Sequence, residues 1–277
     1  MNRVNYKVGK NTISCLEMGK KEQPMALFLH GIPACAEIWR ETLQKVSSKG
    51  FYCIAPDLSG YGQTEINEPE YYSLFGNAKL FNQWLLEHNF DKIWLVAHDL
   101  GGAVAQIMIT DKPTLFEKVT LCNVGNANTY PVPTIAKLVK ASKLGMFYWL
   151  ALFGRFKAEK LYAGMKRFFV RNKSFSKNEF ERIFFDGKFH KRKSVAKFQK
   201  MLARLHNRYT VENMEKLKGI NLPVHLLWAM DDKFQTWEVS GKILESTFSN
   251  IRISKIEKCG HYLQIDANDE FVERLLS

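Results

Sequence analysis

Short apolar runs alternate with segments of helical spacing through the first half of the chain. Asn11 to Met18 and Met25 to Leu29 read as strands, the second ending in a His30-Gly31 turn. Ala36 to Ser48 has helical spacing. Phe51 to Ala55 reads as a buried strand, closed by Pro56-Asp57 and a loop containing Gly60 and Gly62. Tyr72 to His88 predicts a helix, Ile93 to Ala97 a strand, Gly101 to Thr110 a helix and Val119 to Asn123 a strand. Met1 to Lys10 is polar and lacks the apolar centre of a signal segment. Strand–helix alternation of this kind predicts a mostly parallel sheet with helices on both faces.

The alternation then stops. From Asn126 to about Asn213 the chain is helix-like, basic and aromatic, after a linker-like start at Tyr130-Pro131-Val132-Pro133. It resumes with a strand at Val224 to Trp228, a helix at Trp237 to Thr247, a strand at Arg252 to Ile256 and a helix at Glu270 to Leu276. This predicts one α/β core built from 1–126 and 214–277, interrupted by a helical cap over 127–213.

Composition fits that picture. The chain has 277 residues, 46% hydrophobic and 25% charged, which excludes disordered, collagen-like and coiled-coil classes. The longest apolar run, Leu144 to Phe153, is about half of the roughly 18 residues that span a membrane. A cytoplasmic protein is the expectation. The five cysteines (Cys15, Cys35, Cys53, Cys122, Cys259) are scattered and odd in number, which predicts reduced thiols rather than a disulfide frame. No Cys/His cluster calls for zinc, and neither metal nor cofactor is expected.

Charge separates the two regions. Pro131 to Thr210 holds 20 of the 40 Lys and Arg but four of the 28 Asp and Glu, a local net of +16 against −4 elsewhere. An anionic-ended substrate or peripheral contact with an anionic membrane fits this asymmetry, as does a plain solvated surface. Nucleic acid is not expected, because the insert carries no recognition motif.

The chemistry lies in Val96-Ala97-His98-Asp99-Leu100-Gly101-Gly102, between a strand and a helix. A sharp strand-to-helix turn exposes its central side chain, and needs small residues two positions away on either side, here Ala97 and Gly101. Asp99 occupies the centre. With His30-Gly31-Ile32-Pro33 and Gly60-Tyr61-Gly62-Gln63-Thr64, this turn resembles the α/β-hydrolase superfamily, in its epoxide hydrolase and haloalkane dehalogenase branch. The resemblance covers nearly all of the chain outside the insert. It implies an eight-stranded, mostly parallel sheet with a helical cap, and Asp99 as nucleophile. A carboxylate displaces a leaving group from saturated carbon, forming an alkyl–enzyme ester that water must then hydrolyse.

The resemblance further implies His261, in Cys259-Gly260-His261-Tyr262, as the base, and Asp232 as the acid that orients it, with Asp231 the alternative. Asn123 to Asn126, where some dehalogenases carry the acid, has no carboxylate. Ile32 and Leu100 are implied as backbone donors of an oxyanion hole. His98 matches a position that shapes the site, Trp39 belongs to a Trp-Arg pair common to both branches, and His30 reads as structural. His88, His190 and His206 read as surface or packing residues.

Dehalogenases of this branch usually place Trp after the nucleophile and often Asn in the first turn; this chain has Leu100 and Ile32. Epoxide hydrolases use cap tyrosines as acids, for which the resemblance points to Tyr148 and Tyr209, with Tyr130 and Tyr162 in reserve. Met146, Phe147, Trp149, Phe153 and Phe156 are expected to make an apolar pocket wall for a lipophilic substrate. Epoxide hydrolysis is the expected activity; hydrolytic dehalogenation and a non-catalytic interaction role are the alternatives. The sequence leaves the oligomeric state open.

Overall fold

The computed structural model describes residues 1–153, 157–185 and 191–277. Eight strands form one sheet: β1 (Asn2–Val8), β2 (Asn11–Met18), β3 (Met25–Leu29), β4 (Tyr52–Pro56), β5 (Ile93–His98), β6 (Phe116–Cys122), β7 (Val224–Ala229) and β8 (Ile251–Ile256). Their spatial order is β1-β2-β4-β3-β5-β6-β7-β8. Only the β1–β2 and β2–β4 pairings are antiparallel. β3, β4 and β5 are buried at every position, as a parallel sheet covered on both faces requires.

The helices are α1 (Arg40–Ser47), α2 (Leu74–Glu87), α3 (Leu100–Asp111), α4 (Pro133–Lys143), α5 (Met146–Leu152), α6 (Ala158–Phe168), α7 (Lys177–Phe180), α8 (Arg192–Ala203), α9 (Arg208–Lys218), α10 (Lys242–Glu245), α11 (Leu263–Asp266) and α12 (Asn268–Leu276). α2, α3 and α9 bury their apolar sides in one core, and α1 and α12 in a second core on the opposite face of the sheet. Helices α4 to α9 all lie between β6 and β7 in the chain, so this excursion sits where the strand–helix alternation lapses.

β1 departs from expectation. Asn2–Val8 looked like a polar terminus but pairs along its whole length with β2, from Asn2 opposite Glu17 to Val8 opposite Asn11. It is an edge strand that buries only Tyr6 and Val8, so half-polar composition is what it needs. All five cysteines are buried and none is bonded to another. No described helix is long and apolar enough to cross a membrane.

Candidate active site

Asp99 stands between β5 and α3 with φ 50° and ψ −115°, a left-handed conformation that non-glycine residues adopt at a cost. The turn is tight because three glycines permit it. A Cβ on Gly101 would lie 2.6 Å from the carbonyl oxygens of Leu29 and His30, one on Gly102 2.0 Å from Val124, and one on Gly31 2.6 Å from Asp99 itself. β3, β5 and α3 therefore converge on the carboxylate.

The Ile32 N–H donates to Asp99 Oδ2 at 2.9 Å, and the Leu100 N–H also bonds to the carboxylate. Two backbone donors, those of the residues expected to form an oxyanion hole, thus converge on this carboxylate. Burial pushes the Asp99 pKa up most strongly; nearby His261 and the two N–H groups oppose that rise without cancelling it.

His261 follows β8 and Asp232 follows β7. His261 Nδ1 lies 2.7 Å from Asp232 Oδ2, both side chains being buried. Asp232 Oδ1 accepts the Phe234 N–H at 2.8 Å, and Oδ2 accepts Asn123 Nδ2 at 2.9 Å. Burial alone would raise the Asp232 pKa, but His261 and the Phe234 and Gln235 N–H groups bring it below its ordinary value. Burial likewise works against a charged His261, yet Asp232 and Asp99 together raise its pKa above the ordinary value. Asp231 is turned outward, 3.8 Å from Arg171 and half exposed, so it does not orient the histidine.

Asn123, noted in the sequence only for lacking a carboxylate, clamps this acid. Its Oδ1 accepts the Ala229 N–H at 2.8 Å, which fixes the amide so that Nδ2 faces Asp232. His98 packs behind His261, ring centroids 4.7 Å apart. Burial holds its pKa down to about 3, so the ring is neutral and Nε2–H donates to the His261 carbonyl at 2.8 Å. His30 is structural, accepting the Leu58 N–H at Nε2.

Asp99 and His261 open onto a cavity of about 280 Å³ walled by Phe147, Phe168, Phe169, Phe180, Phe184 and Phe198 among others. Phe169 and Phe234 stack at 4.3 Å beside His261. Lys160 also lines this space and is exposed. Two buried polar atoms on residues lining the cavity have no hydrogen-bond partner among the described residues: the Tyr130 hydroxyl and Gln235 Nε2. Gln235 Oε1 accepts from Ser240, so its amide N–H₂ is left over. Tyr130 fits because residue 125 is glycine; a Cβ there would lie 2.7 Å from the Tyr130 ring.

Several expected residues lie elsewhere. Tyr148 does not line the cavity: its neighbour Phe147 turns inward, while Tyr148 packs edge-on against Trp149. Tyr209 stacks on Phe75 over a separate surface groove with Asn213 and Lys216. Tyr162 bonds the Phe175 carbonyl. Trp39 is wholly buried between Phe28 and Phe271, beneath the site rather than in it, and His98 supports the histidine without lining the cavity. Trp149, Met146 and Phe153 face outward, leaving Phe147 as the pocket residue of that run. Phe156 and His190 lie outside the described residues. His88 and His206 are packing residues beside Tyr6 and Tyr209.

Residues 26–268 match the alpha/beta hydrolase fold family. A haloalkane dehalogenase of Bradyrhizobium diazoefficiens is 36% identical over 98 residues, covering 35% of this chain and 31% of that protein. Epoxide hydrolase 1 of Caenorhabditis elegans is 27% identical over 128 residues, 45% of this chain and 31% of that protein. The alignments thus span about a third of these relatives' own length. Among solved structures, an alpha/beta hydrolase fold protein from Burkholderia ambifaria superposes with a TM-score of 0.84 at 21% identity, covering 99% of this chain and 96% of that one.

Proposed function

The chain belongs to the alpha/beta hydrolase fold family, and from that premise we propose that it hydrolyses lipophilic epoxides to diols through an ester on Asp99. The observation that carries the reading is the Tyr130 hydroxyl, buried and unpartnered on the wall of the cavity that holds Asp99. Ring opening turns an ether oxygen into an alkoxide, which needs an acid close to where the charge appears.

In the first step a carboxylate oxygen of Asp99 attacks an epoxide carbon, the C–O bond of the ring breaks, and Tyr130 gives its proton to the departing oxygen. In the second step His261 takes a proton from water, and the resulting hydroxide adds to the ester carbonyl. The Ile32 and Leu100 N–H groups hold the oxyanion of that tetrahedral adduct. Tyr130 regains its proton from solvent once the ring has opened; collapse of the adduct then releases the diol and restores the Asp99 carboxylate, and His261 gives its proton back to solvent. Asp232 keeps the His261 tautomer and stabilises the imidazolium.

Dehalogenation is the second reading. The spare Gln235 N–H₂ supplies a neutral donor that a departing halide could use, although Leu100 and Ile32 provide no side-chain donor. A non-catalytic role is the weaker alternative, since no Lys or Arg among the described residues pairs with Asp99.

Intact mass spectrometry of His261→Gln separates these readings. Without its base the second step stalls and the ester accumulates. An epoxide adds its full mass, whereas a haloalkane adds its mass less the hydrogen halide. Tyr130→Phe in the same background is expected to slow epoxide adduct formation by about 10²-fold or more. Adducts from haloalkanes only would overturn the proposal in favour of dehalogenation, and a folded variant that forms none would overturn both.

A further inference from the structure

Helix α5 is apolar on both sides. Its inward residue Phe147 is 1% exposed and packs against Phe198. Its outward face carries Met146 (52% exposed), Trp149 (58%) and Phe153 (78%), spaced three and four residues apart, with Leu144 (65%) on the preceding turn. Trp149 and Phe153 stack on one another in the open, centroids 6.0 Å apart. A helix that is apolar all round is ordinarily buried, and a contiguous exposed apolar patch marks a contact surface.

The flanking charge identifies what covers it. Lys137, Lys140 and Lys143 on α4 and Lys157 just before α6 are all exposed. No Asp or Glu occurs anywhere from residue 131 to residue 158. A second copy of the chain meeting this face through a two-fold axis would bring like charges together. Duplex nucleic acid, its bases already stacked, would use the lysines but not the exposed aromatics. A Trp and Phe face bordered by lysines matches the headgroup zone of an anionic bilayer, where aromatic rings enter the acyl boundary and lysines meet lipid phosphates.

We propose that the outward face of α5, with Leu144 and the bordering lysines, docks this protein on anionic membrane surfaces. Phe147 of α5 itself and Leu138 of α4, which packs against α5, line the Asp99 cavity. Docking through α5 would bring the cavity close to the layer in which lipophilic molecules dissolve. The contact does not depend on which reaction occurs at Asp99.

The test is co-sedimentation with vesicles of phosphatidylcholine, with and without about a third phosphatidylglycerol. The protein is expected to bind the anionic vesicles, more weakly as salt rises, and to leave pure phosphatidylcholine largely unoccupied. The triple variant Met146→Ser, Trp149→Ser, Phe153→Ser and the triple variant Lys137→Glu, Lys140→Glu, Lys143→Glu should each lose about tenfold or more in partitioning while keeping the wild-type circular dichroism spectrum. Should the serine variant misfold, brominated phosphatidylglycerol vesicles should quench wild-type tryptophan fluorescence more than that of Trp149→Phe. Wild-type failure to bind anionic vesicles overturns the proposal, as does wild-type binding by the folded serine variant or equal quenching in Trp149→Phe. Concentration-dependent dimerisation that the serine variant abolishes, without vesicle binding, would assign the face to a second copy instead.

Discussion

In the free site His261 answers chiefly to Asp232, bonded to its Nδ1, and to Asp99, near enough to add its own charge, with Asp266 a lesser third. All three raise its pKa, against the pull of burial. The ester intermediate removes one of them, because an esterified Asp99 carries no charge. His261 should therefore titrate lower in the ester than in the free protein, which favours the neutral base when it is needed. Its proton must be absent for it to activate water, so ester breakdown is expected to speed up as pH rises through that lowered midpoint and then to level off. Tyr130, pushed well above the ordinary tyrosine value of 10.0 by burial and then by Asp99, stays protonated throughout this range and adds no falling limb. Single-turnover rates of ester decay from pH 5 to 9, with the His261 midpoint from NMR of the free protein, check the ordering. A rate that falls with pH, or a higher midpoint in the ester, would refute it. The sequence made Asp99, His261 and Asp232 legible because each follows a strand and the elbow is contiguous. It could not show that Tyr130 lines the cavity while Tyr148 and Tyr209 do not, since tertiary packing decides which tyrosines turn inward. Asn123 escaped for a similar reason: its partner, Asp232, is distant in sequence.

At the scale of elements, the strand that sequence patterning missed turns out to brace the loops around the site. Arg3 on β1 reaches Asp57 at 2.8 Å and Glu37 at 3.0 Å. The Asp57 side chain is completely buried and also accepts the N–H groups of Ala36 and Gln63. It therefore holds the turn after β3 and the loop after β4 together, and Gly62 is required there because a Cβ would lie 2.1 Å from the Asp57 carboxyl. This strand does alternate, with Val4, Tyr6 and Val8 on one face and Arg3, Asn5 and Lys7 on the other, but the bracing role of Arg3 depends on partners that patterning cannot show. Arg3→Ala would leave a buried carboxylate without its counter-charge, a loss of about 3 kcal/mol, the backbone donors keeping it at the low end of the range for broken buried pairs. Urea denaturation should report that loss, and Arg3→Lys should recover part of it. A stability unchanged within about 0.5 kcal/mol would show that the N–H donors alone sustain the charge.

Across the whole molecule, the charge asymmetry and the cavity meet at one residue. The body outside 131–210 carries a slight net negative charge and the insert +16. Yet the cavity between them is walled by apolar side chains, and Lys160 is the one lysine or arginine among its described lining residues. A substrate with an apolar body and a carboxylate at its far end would place the body against the phenylalanines and the carboxylate at Lys160, with the basic insert concentrating such anions near the opening. Lys160 is solvent-exposed, so the attraction is screened and modest, on the order of 1 kcal/mol or less. That energy acts equally on the bound substrate and the transition state, because the reacting carbon lies elsewhere in the cavity. Lys160→Gln is therefore expected to raise KM for a carboxylate-ended epoxide by about three- to fivefold with kcat unchanged, and to leave its uncharged methyl ester unaffected. The wild-type preference for the acid over the ester should also shrink as salt is raised. A preference that survives both the substitution and high salt would place the carboxylate's partner elsewhere on the insert.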